Sequence, residues 1–467
     1  MVDKISEEDI ADLYRDVQRI KKEKKYLEKE NKQLKEQLTA KRYKLIDTIV
    51  NSVYKVTHLG RKNSVELPVI EDDSAEEQKI EMRTDKKVKR KVSHGRVDLI
   101  NVTFFDWDGN VVYRGGAERY IYDLACLLKE MGYKPRILQC SNVCFEKKFK
   151  GITVIGIGTG SKYDMEKRSE CFKEWCNDCE MIIASPLELA CKISNIPIIG
   201  INHGVNFDGD WNRLNTSGED TDLYDSYFDA LINVKKCVCV DTNFINWTRT
   251  RDYRLSSKEE YIPNYCDLGQ FENIKNKKQN KNKNKIVFVY ARRIYSARGY
   301  DLTIEAFREV FKKYKDKVEI HFVGQIDNDR AGKDLKAFMN DFPKNVFHYE
   351  YDMEDMANAY KDADVVLIPT RYCEGTSLSC IEGMLSGAAI IVTNVGGLPN
   401  LVIDGFNGRI VSPDVNSLTN SIIEMIENED LRIKFAKNGI QVAKTAFNKE
   451  KWQKSWKKEI ESVLEEK

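Results

Sequence analysis

The sequence predicts an α/β protein with two parallel-sheet halves, and three observations carry that prediction. Compact apolar runs such as Val97–Phe105, Ile152–Ile157, Ile286–Tyr290 and Asp364–Pro369 alternate with stretches of helical periodicity. A polar, low-complexity stretch over 272–285 divides the alternation into two blocks, as an interdomain linker would. Between the run ending at Pro369 and a helical pattern through Leu378, Ile381 and Leu385 lies Tyr372-Cys-Glu-Gly-Thr-Ser-Leu-Ser-Cys-Ile-Glu382, a strand-to-helix junction. At the carboxyl edge of a parallel sheet such a junction turns unpaired N–H groups and the positive end of a helix dipole toward the crevice. Thr376 or Ser377 is placed to cap that helix. Gly375, Thr376, Ser377 and Leu378 then cradle an anion, with Glu374 and Glu382 on either side to accept hydroxyl hydrogen bonds. That combination suits a nucleotide-sugar. Two solvated glutamates around an ordinary helix start would look the same in isolation.

Composition narrows the function classes. The 467 residues carry 75 Lys+Arg against 74 Asp+Glu, a net charge of +1, which gives no support to nucleic-acid binding. The opening Met-Val-Asp-Lys-Ile-Ser-Glu-Glu has no apolar signal core, and no charge-free apolar run is long enough to span a bilayer. Cytoplasmic residence is the expectation. The 12 cysteines then read as reduced thiols, and Cys171, Cys176 and Cys179 lack the further ligands that a tetrahedral metal set needs.

Residues 1–58 form the first expected segment. Leu13, Ile20, Leu27 and Leu34 repeat every seven residues, while Val17, Lys24, Asn31 and Leu38 occupy the other seam position. This predicts a coiled coil, with Asn31 favouring a parallel homodimer in fixed register. Over 41–55, Leu45, Ile46, Ile49, Val50 and Val53 form an apolar face flanked by basic residues and tyrosines. Such a helix suits either peripheral membrane contact or docking on the main body. Residues 59–95 alternate acidic and basic patches and read as a flexible linker.

In the first half, residues 96–272, the strand through Phe105 leads to Arg114-Gly-Gly-Ala-Glu118, where Gly115 and Gly116 let a ligand approach the start of a helix. Further strands are expected at Arg136–Cys140, Met181–Ala184 and Ile196–Ile201, the last placing His203 at a strand end facing the crevice. In the second half, residues 273–446, Arg293 and Arg298 share the loop after the first strand, a position for gripping a diphosphate with forked donors. A helix over 302–314 and strands at Glu319–Val323, Asp364–Ile368 and Ala388–Thr393 complete the pattern. Residues 447–467 form a last helix whose Trp452, Trp456, Ile460 and Val463 need a partner, expected to be the first half.

With these motifs in order, residues 96–460 resemble the retaining nucleotide-sugar glycosyltransferases of family 4, which have the GT-B fold of two Rossmann-like domains facing a central cleft. The matching parts are Gly115-Gly116-Ala117-Glu118, His203-Gly204, Ile262-Pro263-Asn264, Arg293 to Arg298-Gly299, Glu374 to Glu382, and Asn394-Val-Gly-Gly-Leu-Pro399. The resemblance implies that the first domain takes the acceptor and the second the donor. It implies that Glu374 binds donor-sugar hydroxyls and Glu382 the ribose, and that His203 contacts the sugar near the reacting carbon. Arg293, Arg298 and the amides of Gly116 and residues 376–378 would hold the diphosphate. Two departures stand out: Arg298 replaces the more usual lysine, and Thr376-Ser377 replaces a common Phe-Gly.

No metal and no cofactor is expected beyond the nucleotide-sugar substrate. Asp106-Trp-Asp108 and Asp327-Asn-Asp329 read as loop residues, because the arginines supply the charge a metal would bring. An amphipathic helix after a coiled coil resembles bacterial transferases that build surface polysaccharide on glycan or lipid-linked acceptors at the inner face of the membrane. The competing readings are a sugar-nucleotide epimerase on the same fold and a non-catalytic scaffold acting through the coiled coil.

Overall fold

The computed structural model describes residues 95–113, 115–160, 164–205, 221–269, 271, 285–326, 330–351 and 355–465. The heptad segment, the 41–55 helix, the charged linker up to residue 94, Arg114, the stretch 272–284 and Asp327–Asp329 lie outside the described residues.

The first domain runs through β1 (Arg96–Asn101), α1 (Gly116–Glu130), β2 (Lys134–Gln139), β3 (Cys144–Phe149), β4 (Ile152–Ile157), α2 (Met165–Trp175), β5 (Met181–Ser185) and β6 (Ile198–Asn202). It continues with α3 (Thr221–Asn233), β7 (Lys236–Cys239), α4 (Thr242–Arg249) and β8 (Glu259–Tyr261). Its sheet has the order β3-β4-β2-β1-β5-β6-β7-β8 and is parallel except for β3, which pairs antiparallel with β4 at one edge. The second domain comprises β9 (Ile286–Ala291), α5 (Tyr300–Tyr314), β10 (Val318–Val323), α6 (Arg330–Asp341), β11 (Val346–Tyr349), β12 (Val365–Ile368) and α7 (Leu378–Ser386). After these come β13 (Ala389–Thr393), β14 (Arg409–Val411), α8 (Val415–Glu427) and α9 (Glu429–Ala446). Its sheet is parallel in the order β11-β10-β9-β12-β13-β14. The inner strands β5, β6, β12 and β13 are buried along their whole length, as strands covered by helices on both faces must be.

Two differences from the sequence reading have local causes. β1 stops at Asn101, because Phe104 and Phe105 belong to a loop closed by a Phe105–Val112 bridge. Asp106 folds that loop: its carboxylate accepts the amides of Asp108, Asn110 and Val111, a turn-building role. The sequence reading also omitted β3, β7, β8, β11 and β14. β3 is an exposed edge strand with three charged residues, and the others span three or four residues, too few for a period to show.

The chain passes between the domains twice, at adjacent places. The Cys266 amide donates to the Phe447 carbonyl at 3.0 Å, and Cys266 forms an isolated bridge with Asn448. After the second passage, α10 (Lys449–Glu465) returns to the first domain. There Trp452, Trp456, Ile460 and Val463 join Val97, Leu99, Ile121 and Ile201 in one buried cluster.

Candidate functional site

The carboxyl ends of the two sheets meet, and the loop from Pro369 to Ser377 is the centre of that meeting. Glu374 sits in it with a side chain 9% exposed. Its Oε2 accepts from Arg292 Nη2 at 2.5 Å, Arg298 Nη1 at 2.8 Å and Thr370 Oγ1 at 2.8 Å. All three bonds fall on Oε2, so Oε1 keeps its acceptor capacity. Burial pushes this carboxyl up, but the guanidiniums of Arg292 and Arg298 outweigh burial and hold it below the usual glutamate range.

Arg298 reaches the loop because Gly299, at φ +76, lets the β9–α5 connection press on the end of β12. A Cβ at Gly299 would lie 1.8 Å from the Pro369 carbonyl oxygen. Arg298 also donates to the Cys373 carbonyl at 2.8 Å, so it orders the loop as well as charging it. The neighbouring arginines at the end of β9 take different environments: Arg292 is buried against Thr370 and Glu374, while Arg293 is exposed. Arg293 lies within electrostatic reach of Glu118 across the cleft, where burial raises the Glu118 carboxyl and Arg293 opposes the rise.

Two helix N-termini face each other here. α1 starts at Gly116 and α7 at Leu378, and a Cβ at Gly116 would be 3.1 Å from the Leu378 side chain. Their dipoles both direct partial positive charge at the gap. The expected capping by Thr376 or Ser377 is corrected: Ser377 is the N-cap residue but makes no side-chain cap bond, and Thr376 donates its hydroxyl to the Val240 carbonyl of the first domain. Asn264 Nδ2 in turn donates to the Thr376 carbonyl at 2.7 Å. These cross-domain bonds use Thr376 to join the two halves. Gly375 makes the close approach possible, since a Cβ there would meet the His203 carbonyl oxygen at 2.5 Å.

His203 follows β6 with Nε2 2.9 Å from Ser185 Oγ and its ring edge-on to Tyr120, centroids 5.7 Å apart. Burial pushes its pKa down to about 4, so the ring is a neutral hydrogen-bonding group at physiological pH. Glu382, on the second turn of α7, is 4% exposed. Its Oε1 accepts from Arg119 Nη1 and its Oε2 from the Tyr360 hydroxyl, both at 2.9 Å.

The structure therefore gathers Gly115, Gly116, His203, Arg293, Arg298, Glu374, Gly375, Thr376, Ser377, Leu378 and Glu382 along one interdomain cleft. Sequence reasoning missed Arg292, Arg119, Tyr360 and Asp241. The Arg292-Arg293 doublet is the signal that could have offered Arg292 beside Arg293, but residue type alone does not say which of the two turns inward.

Asp241 is 1% exposed; its Oδ1 caps α4 by accepting the Asn243 amide at 2.7 Å, while its buried Oδ2 has no hydrogen-bond partner. Burial raises this carboxyl, and the Glu374 charge adds to the rise. A raised carboxyl binds more protons folded than unfolded, so its contribution to stability falls as pH rises through the folded pKa. Asp241→Asn keeps a capping oxygen and removes the charge. Thermal unfolding is expected to show a gain on the order of 1 kcal/mol at neutral pH, fading in acid where the wild-type carboxyl is already protonated.

Among the described residues, no group of three or more His, Cys, Asp and Glu is placed to hold a metal ion. Cys176 and Cys179 are buried in the core of the first domain.

Comparison with known proteins bears on the fold that carries this site. Residues 271–442 match the family model for glycosyl transferases group 1. An uncharacterized glycosyltransferase of Methanocaldococcus jannaschii is 28% identical over 246 residues, 50% of this chain and 59% of that protein. The N,N'-diacetylbacillosaminyl-diphospho-undecaprenol α-1,3-N-acetylgalactosaminyltransferase of Campylobacter jejuni is 27% identical over 168 residues, 36% of this chain and 42% of that one. The chain thus spans about half the length of these curated relatives. Among solved structures, sucrose-phosphate synthase from Thermosynechococcus elongatus superposes with a TM-score of 0.63 at 18% identity, covering 80% of this chain and all of that one. Anabaena HepE in complex with UDP-glucose gives 0.61 at 16% identity, covering 79% of this chain and 100% of that one. At those identities the likeness is one of fold, the GT-B arrangement of two Rossmann-like domains. Within that fold, the match to glycosyl transferases group 1 falls on residues 271–442, the second domain.

Proposed function

We propose that the protein is a retaining glycosyltransferase of the family 4 type, moving a sugar from a nucleoside-diphosphate sugar to a glycan or lipid-linked acceptor in cell-surface polysaccharide or glycoconjugate synthesis. The observation that carries this reading is the pair of opposed helix N-termini at Gly116 and Leu378, flanked by Arg293 and Arg298. Breaking a sugar–phosphate bond puts negative charge on the departing diphosphate, and fixed donors directed at that charge lower the barrier. The arginines and helix ends supply the positive charge, so the reading is metal-independent. In it Gly115, Gly116 and residues 375–378 bind the diphosphate, Glu374 Oε1 accepts a donor-sugar hydroxyl, and neutral His203 contacts the sugar beside the reacting carbon. Retention follows if the acceptor hydroxyl attacks from the face the diphosphate leaves and gives its proton to a departing phosphate oxygen.

The acceptor chemistry of the Campylobacter relative, an undecaprenol-linked diphospho-sugar by its name, supports a lipid-linked acceptor. The UDP-glucose held by the Anabaena protein supports a nucleotide-sugar donor. Cytoplasmic residence at the inner face of a membrane and dimerisation through residues 1–58 belong to the same proposal. Among the described residues, no helix is long and apolar enough to cross a membrane.

The test is nucleotide release from a panel of UDP-, GDP- and dTDP-sugars, with and without lipid-linked acceptors. Turnover of one donor, lost in Arg293→Ala, is the expected result; the exposure of Arg293 lets that variant fold. Nucleotide-sugar binding without turnover across the panel would favour the scaffold reading.

A further inference from the structure

We propose that Arg119 is a positioning residue for donor recognition: it holds Glu382 for the ribose diol and makes the site select ribonucleoside over 2′-deoxyribonucleoside diphosphates. This rests on the nucleotide-sugar reading above and names a substrate class within it.

The argument begins with how Glu382 is held. A carboxylate offers about four acceptor positions, two on each oxygen. Arg119 takes one on Oε1 and Tyr360 takes one on Oε2, each at 2.9 Å. The two donors come from opposite sides. Arg119 belongs to α1 in the first domain, while Tyr360 is fully buried in the second domain, at the end of the turn Met356–Tyr360. One donor on each oxygen fixes the plane of the carboxylate and leaves one acceptor position on each oxygen. Two parallel acceptors match two hydroxyls on adjacent carbons, and a 2′-deoxyribose can fill only one of them.

Glu382 needs such holding because its location leaves it little other support. At 4% exposure it cannot rely on water, and burying a carboxylate without a partner is costly. The Arg119 guanidinium supplies the compensating charge, with a side chain itself 15% exposed.

Arg119 also stands beside the place where the chain crosses between the domains. Next to it are Tyr265 and Cys266, where the chain leaves the first domain, and the Cys266 thiol lies against Arg119 and Glu382. One turn further along α1, Asp123 accepts the Tyr265 hydroxyl and lies 3.7 Å from Lys449 Nζ, just past the second passage between domains. Groups at the passages are displaced least when two domains hinge about them.

Calorimetric titration of the full chain with UDP, GDP and ADP, each beside its 2′-deoxy counterpart, tests the assignment. The wild type is expected to bind its preferred ribonucleotide about ten- to a hundredfold more tightly than the deoxy form, the range for losing a hydrogen bond to a charged group. Arg119→Gln should weaken the ribonucleotide by about tenfold, leave the deoxynucleotide nearly unchanged, and so draw the ratio toward one. Tyr360→Phe, which preserves shape in the buried turn, should contract the ratio in the same way without touching the first domain. Arg119→Lys, with one point donor instead of a fork, should restore part of it. Equal weakening of both nucleotides in Arg119→Gln, or an unchanged ratio in both Arg119→Gln and Tyr360→Phe, would overturn the proposal. A wild type that binds nucleotides without telling ribose from deoxyribose would also overturn it and leave the transferase reading standing. A wild type that binds no nucleotide at all would remove both.

Discussion

Replacing Glu374 with glutamine is expected to lower donor turnover by about 10²–10³ and to destabilise the fold at the same time, two effects with one cause. The carboxylate is the common anchor of Arg292, Arg298 and Thr370, all bonded to one oxygen. The Arg292 side chain is 5% exposed, so without the Glu374 charge a buried guanidinium loses its counter-ion and faces Arg298 a short distance away. Removing one partner of a buried pair typically costs about 3–5 kcal/mol. Glutamine retains an acceptor oxygen and softens that loss, whereas alanine leaves neither, so the stability order should run wild type, Gln, Ala. The pH dependence gives an independent reading. Because the folded-state pKa is depressed below the ordinary glutamate value of 4.5, the Glu374 contribution is fully present above that value. It is lost as pH falls through the folded pKa. Urea unfolding of the wild type should therefore weaken in acid, and Glu374→Gln should lack that part of the slope. The activity loss is to be read on the Gln variant, at a temperature where its unfolding curve shows it native.

Much of this arrangement could be read from the sequence, and the reason differs between parts. The inner strands showed themselves as apolar runs because burial on both faces forces that composition, as in β5, β12 and β13. The cleft residues were found where a short motif constrains the backbone: glycine pairs at a helix start, and glutamates eight positions apart around one. What remained hidden depends on pairing between distant segments. Arg119 and Glu382 are separated by 263 positions, and Thr376 meets Val240 across 136. No local pattern marks such partners. Asp241 was overlooked for another reason: as a helix cap it has a sufficient local explanation, and only the three-dimensional burial of its second oxygen shows that the cap leaves a charge unpaired at the cleft. Thr376 looked like a cap for the opposite reason. Its sequence position fits that role, but tertiary contact with the Val240 carbonyl uses the hydroxyl first.

Trp456→Ala should be among the most destabilising single changes in the described part of the chain, and it should reach the cleft without touching it. Trp456 is fully buried where α10 completes the core of the first domain, beside Trp452, Ile460 and Val463. Truncating a buried tryptophan typically costs about 3–5 kcal/mol. Its indole Nε1 also donates to the Tyr120 hydroxyl at 2.7 Å, and Tyr120 stands edge-on to both Trp452 and His203. Tyr120 is thus braced from one side by the C-terminal helix and supports the His203 ring with the other. A cavity at Trp456 frees Tyr120, and His203 then keeps only its Ser185 bond as a side-chain anchor. Trp456→Phe separates the two consequences: it fills most of the volume but deletes the donor, so the unfolding midpoint should move far less than in the alanine variant. If Tyr120 positions His203 as the geometry requires, donor turnover should still fall in the Phe variant, with a larger change in kcat than in KM. A Phe variant with wild-type turnover would instead confine α10 to completing the core of the first domain.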